Sequence, residues 1–277
     1  MPRHLLHLPR RLDVVEATLD ELRSSQHYSH VALGPLHFSP GSGTTAELCW
    51  SGVPLRDVPE SIWSAVDRLS TGEHPKVVIG RLGRGSRRSW KWMAQDVESA
   101  ARRLFDLAVG PQPLTGIDLE PAPDVPTDVL TELTTRLANH AERSPFLLSQ
   151  VLSSDQLESL RALPATWSRL VERLDWLALE HVSGNCPVTA HAELVSGRLT
   201  GHPLAAERVM LSHVIGWGWG PPELERLASS LTRLTERHGG RWGGLATSAH
   251  PELPLPHEDW VSAIDQALHG GSVVSSD

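Results

Sequence analysis

Two cysteines among 277 residues, Cys49 and Cys186, exclude a disulfide framework, and nothing supports a single bridge between them. Lysine is nearly absent, so arginine supplies almost all of the 25 basic side chains, which face 33 acidic ones. The net charge of −8 gives no general attraction to nucleic acid or to an anionic membrane and repels both at long range. No apolar run reaches membrane-spanning length, and the basic start Met1–Pro9 lacks a continuous apolar stretch. A cytoplasmic location is therefore expected, with no membrane and no nucleic acid as partner. Internal repeats, low-complexity tracts and linkers are missing too, which predicts one domain over residues 1–277. Tyr occurs once and Phe three times, whereas Trp occurs ten times. Large flat side chains serve both cores and ring-binding clefts.

What is present is an alternation of short β-rich runs with longer segments of helical spacing. The candidate strands are His4–Leu8, His30–Phe38, Lys76–Leu82, Leu114–Glu120, Pro145–Val151, Leu174–Glu180, Arg208–Ile215 and Arg241–Thr247. Helical spacing marks Leu12–Ser24, Glu60–Leu69, Met93–Val109, Thr127–Ala141, Leu224–His238 and His257–Leu268. Ser154–Arg173 should break at Pro164, because proline removes a backbone donor and clashes with the preceding turn. Eight strands in this order predict an α/β fold, a single (β/α)8 TIM barrel, with an open doubly wound sheet as the alternative. The first strand is short enough to be a capping segment instead. The long connections Ser39–Pro59 and His181–Glu207 would build the mouth, and the Gly-rich stretch Pro40–Thr45 reads as a mobile lid tip.

The segment with most chemistry is Leu114–Glu120. Ile117 and Leu119 alternate with Gly116, Asp118 and Glu120, so period two puts both carboxylates on one side of the strand. The apolar pair needs the outer helices, which turns Asp118 and Glu120 into the barrel. Two inward acids near a strand's C-terminal end are costly unless paired, hydrogen-bonded or partly protonated. The alternative is a salt-bridged or water-bound pair with a purely structural role.

The stretch Thr115-Gly116-Ile117-Asp118-Leu119-Glu120-Pro121-Ala122 resembles the fourth strand of glycoside hydrolase family 18, the chitinase and endo-β-N-acetylglucosaminidase barrels. That strand reads Asp-Gly-apolar-Asp-apolar-Asp-x-Glu. Ser29–Phe38 is similar to the family's second strand, Lys76–Gly85 to its third, and Arg241–Ala246 to its Gly-Gly-apolar eighth strand. The resemblance implies a family-type barrel that binds sugar-like ligands. The departures are as informative: the family's first Asp is Thr115, its third Asp is Glu120, and its general acid falls on Ala122. The aromatic expected after the eighth strand falls near Ser248, and the sixth-strand Tyr has only Glu180 and His181 in its place. Removing a positioned general acid costs about 10²–10⁴-fold, so a conventional chitinase is not expected.

Other polar residues at strand ends are His37, His213 and His250. With 15 His in the chain, some reach such positions by chance. Three readings follow. In the first, the barrel is a repurposed enzyme with acid/base chemistry on a small polar or ring-containing metabolite, as in biosynthesis. Glu120 would be the acid/base, raised in pKa by burial and by its partner Asp118. His37, Glu180, His181, His213, Trp217 and Trp219 would line the substrate. In the second, the mouth binds carbohydrate without turnover, as in chitinase-like lectins that have lost the catalytic Glu. In the third, His and carboxylates chelate a metal, although no His-x-His or His-Glu-x-x-His spacing supports it, and no cofactor is expected. Trp50, Trp90, Trp92, Trp217 and Trp219 are the mouth candidates among the tryptophans, with core packing as the alternative. Arg81, Arg84, Arg87 and Arg88 could hold an anionic group or form a solvated surface run. Gly41-Ser42-Gly43 and Ser183-Gly184 are not Gly-x-Ser-x-Gly elbows, so the sequence itself carries no signal for a nucleophilic hydrolase.

Overall fold

The computed structural model describes residues 1–8, 12–40, 46–83, 87–110, 112, 114–122, 125–141, 145–180, 187–215, 221–249 and 258–269. Eight parallel strands close on themselves. They are β1 (Arg3–His7), β2 (His30–Pro40), β5 (Val77–Leu82), β6 (Gly116–Leu119), β7 (Leu147–Leu152), β8 (Trp176–Glu180), β9 (Val209–Ile215) and β10 (Gly244–Ala249). The short first strand is the closure itself. Its residues Arg3–His7 pair with Gly244–Ser248 on one side, and Leu5, Leu6 and His7 pair with His30, Val31 and Ala32 on the other. The barrel expectation holds, and the open sheet does not.

The helices follow the expected faces. Helix α1 (Leu12–Ser24) buries Val15, Leu19 and Leu22 in the shell between barrel and helices. Helix α2 (Glu60–Thr71) buries Ile62, Trp63, Val66 and Leu69 there. The segment expected as one helix over Met93–Val109 is two, α3 (Arg87–Gln95) and α4 (Val97–Val109). The break falls at Asp96, whose carboxylate accepts from the backbone N–H of Ser99 at 3.0 Å and so starts the second helix. Helix α5 (Thr127–Ala141) is followed by the pair α6 (Ser154–Ala162) and α7 (Pro164–Glu172). Pro164 splits that pair as expected and sits in the first turn of α7, where a missing donor costs nothing.

Two connections differ from expectation. Ser39–Pro59 is not an open loop, because β3 (Ala46–Trp50) runs antiparallel to the end of β2 and β4 (Val53–Pro54) pairs back on it. The expected lid tip at 41–45 lies outside the described residues. His181–Glu207 contains helix α8 (Pro187–Val195). Helices α9 (Pro221–Arg237) and α10 (Glu258–His269) complete the outer layer.

Strand parity divides the side chains cleanly. The residues facing the helices, such as Leu6, Val31, Leu33, Val78, Ile117, Leu119, Leu148, Leu177, Leu211 and Leu245, form one large apolar shell. The inward residues Leu5, Ala32, Ile79, Val151, Trp176, Ala178, Met210 and Ala246 form a second, smaller cluster that plugs the barrel. Both strand faces are covered, which is why the strands read as near-continuous apolar runs. Two glycines allow the strands to approach. A Cβ on Gly116 would lie 2.1 Å from the carbonyl oxygen of Leu147. Gly244 has φ +103° and its Cβ would lie 2.0 Å from the carbonyl oxygen of Arg3.

Candidate functional site

The inward positions change character along the strands. Below are Leu5, Ala32, Ile79 and Ala246; one pleat further on come His7, Arg81, Asp118, Ser149 and Ser248. The inward C-terminal ends of β1, β5, β6 and β10 are therefore polar, while β7 keeps the apolar Val151 beyond Ser149; strand C-terminal ends are where barrels of this type carry their chemistry.

Asp118 is the innermost acid and fully buried. Its Oδ1 accepts from the Ser149 hydroxyl at 2.6 Å, across the β6–β7 register that sets the two residues opposite each other. Its Oδ2 lies 3.5 Å from His7 Nε2. On the other side of the imidazole, His7 Nδ1 is 2.6 Å from the Ser248 hydroxyl, again a register pair. Four side chains from four strands thus form one continuous line: Ser149, Asp118, His7, Ser248. Burial pushes the His7 pKa below the ordinary histidine value, and the Arg81 charge adds to this, while contact with Asp118 and the charge of Glu120 pull it back up.

Glu120 continues the strand by one residue, its N–H donating to the Leu82 carbonyl at 2.8 Å. Its Oε1 lies 2.7 Å from Arg81 Nη2, and both side chains keep a little exposure, 14% and 16%. The expected pair of inward acids is present, but each acid has its own basic neighbour. Asp118 faces an imidazole and Glu120 a guanidinium. Ala122, where the resemblance places the general acid, is buried in the outer apolar shell.

Glu180 ends β8 on the inward parity of Trp176 and Ala178, opposite Ser212, and is partly exposed. His37 lies on the face of β2 opposite Leu36 and Phe38, beside Cys49 of the hairpin, and burial lowers its pKa. His213 is placed differently. It shares the outward parity of Val209 and Leu211 and is buried between sheet and helices, so it does not join the inward group. His181, Trp217, Trp219, His250 and Arg84 lie outside the described residues, as do the side chains of Arg87 and Arg88. The remaining mouth tryptophans are mostly core: Trp50 is fully buried against Trp63, Trp90 is buried, and Trp92 packs partly buried on Phe38. Among the described residues, no group of three or more His, Cys, Asp or Glu is placed to hold a metal ion. No helix of the described residues is long and apolar enough to cross a membrane.

Sequence reasoning missed His7, Ser149 and Ser248. The signal was parity: His7 is the last residue of the first strand, two beyond the inward Leu5, and a titratable group there points into the mouth.

No family model matches the chain, and no curated protein matches it by sequence. Solved structures do. One is a family 18 chitinase from Pseudoalteromonas aurantia, 16% identical with a TM-score of 0.72 over 96% of this chain and 100% of that one. Another is active domain 2 of a thermostable chitinase from Pyrococcus furiosus, whose catalytic-site mutants were solved with chito-oligosaccharides. It is 13% identical with a TM-score of 0.67 over 97% of this chain and 95% of that one. Concanavalin B is 15% identical with a TM-score of 0.61 over 96% and 98%. At these identities the likeness is one of fold: this is a closed (β/α)8 barrel like those of the chitinases it superposes on.

Proposed function

We propose that this barrel is a repurposed enzyme that performs acid/base chemistry on a small polar or ring-containing metabolite. Glu120 exchanges the proton with the substrate and Asp118 is the buried acid behind it. The observation that carries this reading is the pair of inward acids, Glu120 ion-paired with Arg81 at 2.7 Å and Asp118 buried with His7 Nε2 3.5 Å away. Buried charge of this kind is costly, and catalytic sites are where such cost is commonly met. A cyclisation, elimination, isomerisation or glycoside cleavage fits this donor set, in a cytoplasmic, biosynthetic setting. In this reading Glu180 and His37, on β8 and β2, would line the substrate, as would His181, Trp217 and Trp219, which follow strands β8 and β9 in sequence. His213 would act only from behind the wall.

The family's own hydrolysis needs a proton at the position of Ala122, and an alanine has none to give. That substitution favours a second reading, a carbohydrate-binding barrel without turnover. Chito-oligosaccharides bound to the Pyrococcus domain make a sugar-like ligand a reasonable occupant of this mouth. Product formation from a metabolite that falls about 100-fold or more in Glu120→Gln, with ligand-induced thermal stabilisation kept, is the expected result. A glycan-array signal with no turnover, unchanged in Glu120→Gln, would support the binding barrel and sink the enzyme.

A further inference from the structure

Ser248, His7 and Asp118 stand in an order that chemistry recognises independently of the fold: a hydroxyl on an imidazole, and a carboxylate on the imidazole's far nitrogen. The Ser248 oxygen is 2.6 Å from His7 Nδ1, and His7 Nε2 is 3.5 Å from Asp118 Oδ2. Asp118 is itself fixed by the Ser149 hydroxyl at 2.6 Å. Exposure follows the same order: Ser248 retains 8%, His7 1% and Asp118 0%. The hydroxyl faces the mouth, and its base and orienting acid are sealed behind it. Triads are identified by geometry and role, not by sequence position or fold, and the second contact is commonly loose without substrate.

We propose that Ser248 is a nucleophile, with His7 as its general base and Asp118 as the positioning residue for His7, and that the site cleaves carboxylic esters of small polar alcohols. Asp118 holds the ring proton on Nε2, leaving the Nδ1 lone pair for Ser248. The Ser248 oxygen bonds to the ester carbonyl carbon while its proton passes to Nδ1. The tetrahedral intermediate collapses, the carbon–oxygen bond to the alcohol breaks, and Nδ1 returns the proton to the departing oxygen. Water then attacks the acyl-Ser248 by the same route in reverse, releasing the acid. Arg81, close enough to His7 to act on its charge, supplies the positive field for the developing oxyanion. Burial keeps His7 in its neutral, basic form at pH 7. A neutral ester suits this mouth better than a phosphate. The inward acids Asp118, Glu120 and Glu180 outnumber Arg81, which Glu120 already engages.

This reading rests on the mouth being a site of chemistry and shares Asp118 with it, but it does not use Glu120. The test is covalent. The purified protein is treated with a fluorophosphonate probe, in which the Ser248 oxygen displaces fluoride from phosphorus, and the adduct is located by peptide mass spectrometry. Hydrolysis of para-nitrophenyl acetate is followed in parallel. An adduct on Ser248 is expected, abolished in Ser248→Ala and slowed about 100-fold or more in His7→Gln. Ser230→Ala, partly exposed on α9 and outside the barrel interior, should leave it unchanged. In Asp118→Asn the rise of labelling rate with pH should move to lower pH, because the carboxylate that raises the His7 pKa is gone. Arg81 and Glu120, the other charges acting on His7, are unaltered there. Should His7→Gln lower the melting temperature, Ser248→Cys carries the test. Its thiol should be alkylated by iodoacetamide with a midpoint below the ordinary cysteine value of about 8.5. No adduct on Ser248, an adduct formed equally fast in His7→Gln, or an unreactive Ser248→Cys thiol overturns the proposal. Because the adduct is read by mass, it does not depend on the metabolite turnover tested with Glu120→Gln, so either can fail alone.

Discussion

His4 and His7 lie three residues apart on one strand and face opposite sides of it. His7 turns inward to Asp118; His4 is buried in the outer shell against the Tyr28 ring, 4.5 Å between centroids. Burial drives the His4 pKa from 6.5 to about 3, with the His27 charge adding to the effect. In the unfolded chain this ring takes its proton near 6.5, so between there and about 3 the unfolded state binds more protons and acidification destabilises the fold. His4→Phe, which keeps a ring against Tyr28, should remove roughly 2 kcal/mol of the stability lost between pH 7 and pH 4.5. Urea midpoints at the two pH values measure it, and an unchanged loss would count against the assignment. Gln150 is a second case. Fully buried on the helix-facing side of β7 between Leu148 and Leu152, its amide has no hydrogen-bond partner on either atom among the described residues. Gln150→Leu should raise stability by about 1–2 kcal/mol, read from the denaturation midpoint. Asp118 and Glu120 were legible at this scale because Ile117 and Leu119 fix the parity of their strand. Arg81 was already a candidate for an anionic group, but the neighbour of Asp118 was not legible, since His7 is more than a hundred residues away and is brought in only by ring closure.

Among the elements, Arg208 acts as a cap for the end of α7. Its guanidinium donates to the carbonyls of Val171, at 2.6 Å, and Glu172, at 3.2 Å, and to that of Leu174, joining the helix end to the turn that leads into β8. Arg208→Ala should cost about 1–3 kcal/mol, seen as a lower melting temperature with no change at the mouth. Strands and long helices were legible because their apolar periods are local properties. The β3–β4 hairpin was not, because Ala46–Trp50 becomes a strand only through pairing with β2, a non-local event. Helix α8 was hidden for another reason: Val188 and Thr189 are β-branched and the helix is nine residues long, so intrinsic preference marks it weakly. The tryptophans divide by element too. Trp50 and Trp90 looked like mouth residues by position, yet their elements turn them into the shell.

As a whole molecule, the barrel is filled below by Leu5, Ala32, Ile79 and Ala246, with Trp176 under the Arg3 guanidinium and edge-on to His30, and its polar inward side chains lie above them. The family-type barrel was legible from strand order and the Gly116–Glu120 strand; the reaction was not, because Ala122 removes the residue that would define it. Ala122→Glu should not create a chitinase. The new carboxylate would enter the apolar shell and cost about 3 kcal/mol or more, with chito-oligosaccharides left uncleaved. Turnover itself separates an enzyme from a binding barrel. The most direct measurement incubates a small, known amount of the protein with a soluble-metabolite extract and follows every mass signal over time. For an enzyme, at least one polar metabolite is consumed far beyond one equivalent per protein molecule, with a product rising in step. Depletion that stops at one equivalent, or none at all, would contradict that reading.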